Sequence, residues 1–126
     1  MRGHTTLMSA TTQPETYIVQ AIINWVREWG GFAVHTPGSI KQANQPDIDG
    51  ALPVHDGFVH FKVEAKVPGE DARPAQKAML SIWGDLGYVV GVVHDLEEFK
   101  VLIQEREREQ HRHRPKTDMV QRHNIS

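Results

Sequence analysis

Between Phe58 and Val67 the chain alternates strictly. Val59, Phe61, Val63 and Ala65 fall on one side of an extended segment, and His60, Lys62, Glu64 and Lys66 on the other. Successive side chains of a strand point to opposite faces, so the pattern calls for a strand with one apolar face and one polar face. His55-Asp56-Gly57 precedes it as a turn, and Asp-Gly is a strong hairpin signal. Asp47 to Val54, apolar at Ile48 and Leu52, is therefore the strand expected to lie beside it.

Helical spacing governs the chain before this hairpin. Tyr17, Ile18, Ala21, Ile22, Trp25, Val26 and Trp29 share one face. Thr12 is the expected N-cap, Pro14 sits in the first turn, Glu15 suits the positive end of the helix dipole, and Gly30-Gly31 closes the helix. Phe32 to Val34 is a short strand, and Thr36 to Pro46 reads as a loop. After the loop Pro68-Gly69-Glu70-Asp71, Pro74 opens a second helix that ends near Gly84–Gly87. Tyr88 to Val93 suits a buried strand. A third helix runs from Leu96 to about Glu109, apolar at Leu96, Phe99, Leu102 and Ile103. Residues 1–12 read as a flexible arm and residues 110–126 as a charged, disordered tail, leaving 13–109 as one domain. The order of elements gives an α/β domain with a small mixed central sheet flanked by helices.

Composition narrows the chemistry. At 126 residues there is room for one core. There is no cysteine, so disulfides and thiolate-bound zinc are excluded, and any metal must be held by carboxylate, carbonyl or histidine. No apolar run reaches the ~20 residues of a membrane helix, and the first residues lack the apolar core of a signal peptide. The chain is expected in the cytoplasm, with no membrane partner. The formal net charge of −2 does not by itself point to nucleic acid. A nuclease with this charge would rely on a local basic rim and bind in a salt-sensitive way.

Two segments carry the chemistry: Pro46-Asp47 on one strand of the hairpin and Glu64-Ala65-Lys66 on the other. Glu64 and Lys66 are two apart and share the polar face. Hydrolysis of a phosphodiester needs charge neutralised on a nonbridging oxygen and a water made nucleophilic, and a hard divalent cation does both. Mg²⁺ accepts one or two carboxylates and keeps its other positions for water and phosphate. Asp47 and Glu64 supply the carboxylates, the Ala65 carbonyl adds a third oxygen, and Lys66 positions or deprotonates the water or stabilises the transition state. Mn²⁺ would serve the same donors.

Pro-Asp, a spacer and Glu-x-Lys is the signature of the PD-(D/E)xK nuclease superfamily. The wider pattern resembles its VRR-NUC branch, found in phage and in repair nucleases. Glu15 matches a glutamate opening the first helix, Gly30 or Gly31 a closing glycine, Pro46-Asp47 the P-D and Glu64 with Lys66 the E-x-K. Pro74-Ala75-Gln76 matches P-x-Q opening the next helix, and Gly87-Tyr88-Val89-Val90 a G-Y-x-V strand. The resemblance covers about residues 13–95. It implies a restriction-endonuclease-like core, Mg²⁺ or Mn²⁺ as cofactor, DNA as partner and a homodimer able to act on both strands of a junction. It also implies catalytic roles for Lys66, Glu64, Asp47, Gln76 and Glu15, with Glu15 joining Asp47, Glu64 and Ala65 as a metal ligand. Two positions depart from the pattern. Arg73 stands where Ser or Thr often caps the helix, and Gln45 where Gly usually precedes Pro-Asp.

Other readings stay open. Asp47 alone is an ordinary turn residue, and Glu64 with Lys66 a solvated pair worth under ~1 kcal/mol. Lys41, His35 and Arg73 are candidate phosphate contacts, as is His60; Asp49 shares the face of Asp47 as a possible extra ligand. Trp25 and Trp29 suit a core or dimer contact better than base stacking. The function expected is a metal-dependent DNA endonuclease, possibly specific for Holliday-junction or flap DNA. The alternatives are a nuclease preferring single strands or RNA, and a catalytically silent nucleic-acid-binding domain.

Overall fold

The computed structural model describes residues 14–36 and 43–112. The arm, Thr12, Lys41 and the tail beyond residue 112 lie outside them. Helix α1 (Glu15–Glu28) is followed by β1 (Phe32–His35), the hairpin β2 (Ile48–Val54) and β3 (Gly57–Ala65), then α2 (Pro74–Asp85), β4 (Val89–Val93) and α3 (Leu96–Arg112).

Pro14 itself is the N-cap of α1, with φ −68° and ψ 154°, rather than a residue of its first turn. Its carbonyl accepts from Tyr17 N–H at 3.0 Å. With ψ at 154° Pro14 is extended, so the helix begins at Glu15. At the other end Gly30 takes φ 87°, and the N–H groups of Gly30 and Gly31 donate back to Arg27 and Val26. Gly87, at φ 102°, closes α2 in the same way, with Tyr88 N–H donating to Trp83. Both glycines occupy the left-handed position of a Schellman motif, where a side chain would strain the backbone. Helix α3 continues to Arg112, three residues past the expected end.

The four strands lie in the order β1-β2-β3-β4. The first two pairings are antiparallel and β3 with β4 is parallel, so the sheet is mixed. A parallel neighbour needs a crossover, and α2 supplies it. Register separates the faces. Ile48 lies opposite Val63 and Leu52 opposite Val59, while Asp49 lies opposite Lys62. The first group, with Phe61, is buried in the core. Phe61 meets Phe99 of α3 edge-on at 4.9 Å, and Trp25 of α1 meets Phe99 at 6.0 Å. Helices α1 and α3 therefore cover one face of the sheet. Full burial of a side chain such as Phe61 contributes about 1.5–3 kcal/mol. The other face carries Lys62 and Glu64 and meets α2 through Trp83 and Gln76. No described helix is long and apolar enough to cross a membrane.

Candidate active site

The antiparallel register sets the start of β2 beside the end of β3. Asp47 immediately precedes Ile48, whose partner is Val63, and Glu64 comes next. Asp47 is 7% exposed and Glu64 2%. Burying a carboxylate is costly unless fixed donors meet it. The Ala65 backbone N–H donates to Asp47 Oδ2 at 3.1 Å. Gln76 Nε2 donates to Glu64 Oε2 at 2.9 Å, and Lys66 Nζ stands 3.8 Å from that same oxygen. Glu64 Oε1 is buried and accepts no hydrogen bond. Lys66 follows β3, and its N–H donates to Val93 O at 3.0 Å, which carries the strand direction one residue further.

Gln76 does a second job. Its Oε1 accepts the N–H of Arg73, the N-cap of α2, at 2.9 Å. The guanidinium of Arg73 has no acceptor to offer the helix start, so only the other half of a capping box is made, the Gln76 side chain accepting the N-cap backbone N–H. With its oxygen taken by Arg73, the amide can only turn its nitrogen to Glu64.

Asp47, Glu64, Ala65, Lys66 and Gln76 are thus brought together. Glu15 is half-buried as the first residue of α1. Among the described residues no group of three or more His, Asp or Glu side chains stands together as a metal cage. Asp47 and Glu64 come from neighbouring strand ends, and Glu15 from the start of α1. Asp49 is salt-bridged to Lys62 at 2.9 Å. His35 is exposed in the ladder opposite Ile48, next to Asp47, and Arg73 is exposed one turn before Gln76. Trp25 packs against the core and Trp29 is exposed.

Three further sets of contacts have little or no local signal in the sequence. Gln45, two residues before Asp47, accepts from Trp83 Nε1 at 3.1 Å and donates to Met79 Sδ at 3.4 Å. Lys62 Nζ sits 4.2 Å over the Trp83 ring. His94, just after β4, lies 2.8 Å from Glu98 Oε1 through Nδ1 and 2.7 Å from Glu70 O through Nε2. Glu98, and then the Glu70 carbonyl, hold the His94 pKa above its ordinary value. Lys77, and then the Ala72 N–H, lower the pKa of Asp71. The departure at Gln45 was the one available signal; nothing local marks a histidine that bonds 24 residues back.

Two solved structures are similar to this fold. One, described as a VRR_NUC domain, aligns at a TM-score of 0.58 and 22% identity over 71% of this chain and 94% of its own. The chain has the fold of a VRR_NUC domain. A second, described as a VRR_NUC domain protein, aligns at 0.55 and 20% identity over 74% of this chain and 87% of its own. No family model and no curated protein matches the sequence. The VRR_NUC fold accounts for the three helices and the mixed four-stranded sheet expected from the sequence, with the Pro-Asp and Glu-x-Lys segments at one end of it.

Proposed function

We propose that this chain is a metal-dependent nuclease that hydrolyses phosphodiester bonds in DNA. The observation that carries the reading is the buried pair Asp47 and Glu64 at one end of the sheet, with Lys66 beside Glu64. A fold does not need two buried carboxylates at the mouth of a sheet, and their burial costs stability. The VRR_NUC likeness supports the same reading.

The donors suit a hard cation. Two carboxylates and the Ala65 carbonyl are all oxygen, and the chain has no thiol. A pair rather than a cage leaves coordination positions for water and phosphate. Asp47, Glu64 and Ala65 would hold Mg²⁺ or Mn²⁺, with Glu15 as a further proposed ligand. Once bound, the ion neutralises phosphate charge and lowers the pKa of water. The chain's own groups do the rest. Gln76 orients Glu64, the Ala65 N–H orients Asp47, and Lys66 stabilises charge that develops on the phosphate or takes the proton of the attacking water. His35 and Arg73 would meet the phosphates, with Lys41, outside the described residues, proposed from the sequence alone. A structure-specific substrate such as a flap or four-way junction, a homodimer reaching both strands, and a cytoplasmic setting belong to the same proposal.

Cleavage of duplex, flap, single-stranded and four-way-junction DNA, with Mg²⁺, Mn²⁺ or EDTA, tests it. Metal-dependent cutting abolished in Asp47→Asn is the expected result. DNA binding without cutting in any metal would favour a silent binding domain instead.

A further inference from the structure

We infer that Gln45 is a positioning residue for Asp47, fixing the Pro46-Asp47 segment to α2 through Trp83 and Met79, so that one helix sets both carboxylates. The consequence for metal binding rests on the proposed function; the positioning does not.

The contact joins distant parts of the chain. Gln45 Oε1 accepts the Trp83 indole N–H at 3.1 Å, and Gln45 Nε2 donates to Met79 Sδ at 3.4 Å. Both ends of the amide are used, so its orientation is fixed. Only Pro46 separates it from Asp47, and proline locks φ, so a shift of Gln45 is passed on rather than absorbed. Trp83 is itself held on other sides. Lys62 Nζ lies 4.2 Å over its ring, the Tyr88 ring meets it edge-on at 5.0 Å, and Lys62 is tied to Asp49 at 2.9 Å. The indole N–H is thereby presented at a set place.

Residues 76, 79 and 83 follow the spacing that puts side chains on one face of a helix. That face of α2 holds Glu64 through Gln76 and the Asp47 segment through Met79 and Trp83. The two carboxylates come from different strands, and backbone pairing, which reaches Asp47 O through the Thr36 N–H, does not itself orient their side chains. A single helix bonded to both fixes that orientation.

The test measures amide hydrogen exchange at Ala65, whose N–H Asp47 Oδ2 accepts, with the Val63 amide as the internal control for global opening. Gln45→Ala removes the acceptor, and Trp83→Phe removes the donor while keeping a ring over Lys62. Each should speed Ala65 exchange about 2- to 10-fold, the loss of one ordinary hydrogen bond. The double variant should be no worse than the worse single, because both remove one interaction. Gln45→Glu keeps an acceptor for the indole and should return Ala65 exchange close to wild type. Titration with Mn²⁺ alone should show weaker binding in Gln45→Ala than in Gln45→Glu. Ala65 exchange unchanged in both single variants overturns the inference. Faster exchange in a protein that binds no Mn²⁺ even as wild type upholds the positioning and rejects the metal reading alone.

Discussion

Gln76 lies 2.9 Å from Glu64 Oε2 through its amide nitrogen and 2.9 Å from the Arg73 N–H through its amide oxygen. One side chain therefore starts α2 and turns a buried carboxylate. Replacing Gln76 with Met keeps the volume and removes both bonds. A buried carboxylate deprived of a donor costs about 1–3 kcal/mol. Urea unfolding of Gln76→Met should show a loss of that size, together with weaker Mn²⁺ binding by calorimetry. Gln76→Glu is the contrast: it places a second carboxylate against Glu64 and should be worse at neutral pH than Met.

The core makes a separate prediction. Phe61 is fully buried and packs edge-on against Phe99, bridging the sheet to α3. Phe61→Ala should cost about 3–5 kcal/mol, since it loses the buried ring and leaves a cavity. Chemical denaturation measures it, and a loss below about 1 kcal/mol would mean that the face is not packed as described.

His94 predicts a pH dependence. Both of its ring nitrogens face oxygens that only accept, so the charged imidazolium satisfies both contacts. Its pKa is raised, first by Glu98 and then by the Glu70 carbonyl. The sign follows: the stabilisation is fully present below the unfolded value of about 6.5 and is lost as pH rises through the folded value. The gap in thermal midpoint between wild type and His94→Gln should be widest near pH 5.5 and shrink through the alkaline range. Because Asp71, Asp95 and Glu98 surround this corner, Glu98→Gln should lower the His94 pKa read by NMR.

Lys66 should act on rate rather than on metal. Its Nζ stands 3.8 Å from Glu64 Oε2, which places the ammonium next to any ion held there. Lys66→Ala should reduce turnover about 10²- to 10⁴-fold with Mn²⁺ affinity little changed. Lys66→Arg keeps the charge but cannot give up its proton. Near-normal turnover in that variant would exclude a proton-accepting role and leave charge stabilisation.

Much of this was legible in the chain because it rests on local periodicity. The alternation of Val59 to Lys66 fixed which side of β3 would meet the core, and Asp56-Gly57 fixed its antiparallel partner. Together they bring Asp47 next to Glu64 in space, 17 residues apart in sequence. What was not legible depends on tertiary approach. Thr12 has the chemistry of an N-cap, whereas Pro14 is itself the cap of α1. Gln45 registered only as a departure, since its partners Trp83 and Met79 are 38 and 34 residues away. Arg73 likewise registers only as a departure, since the oxygen that meets its N–H belongs to Gln76.

The central claim is that Asp47 and Glu64 together hold a divalent cation. Calorimetric titration of Mn²⁺ into wild type, Asp47→Asn and Glu64→Gln, with circular dichroism to check folding, measures it directly. One site in the wild type, lost in both folded variants, is the result predicted. Equal Mn²⁺ affinity in all three proteins, or none in the wild type, would contradict it.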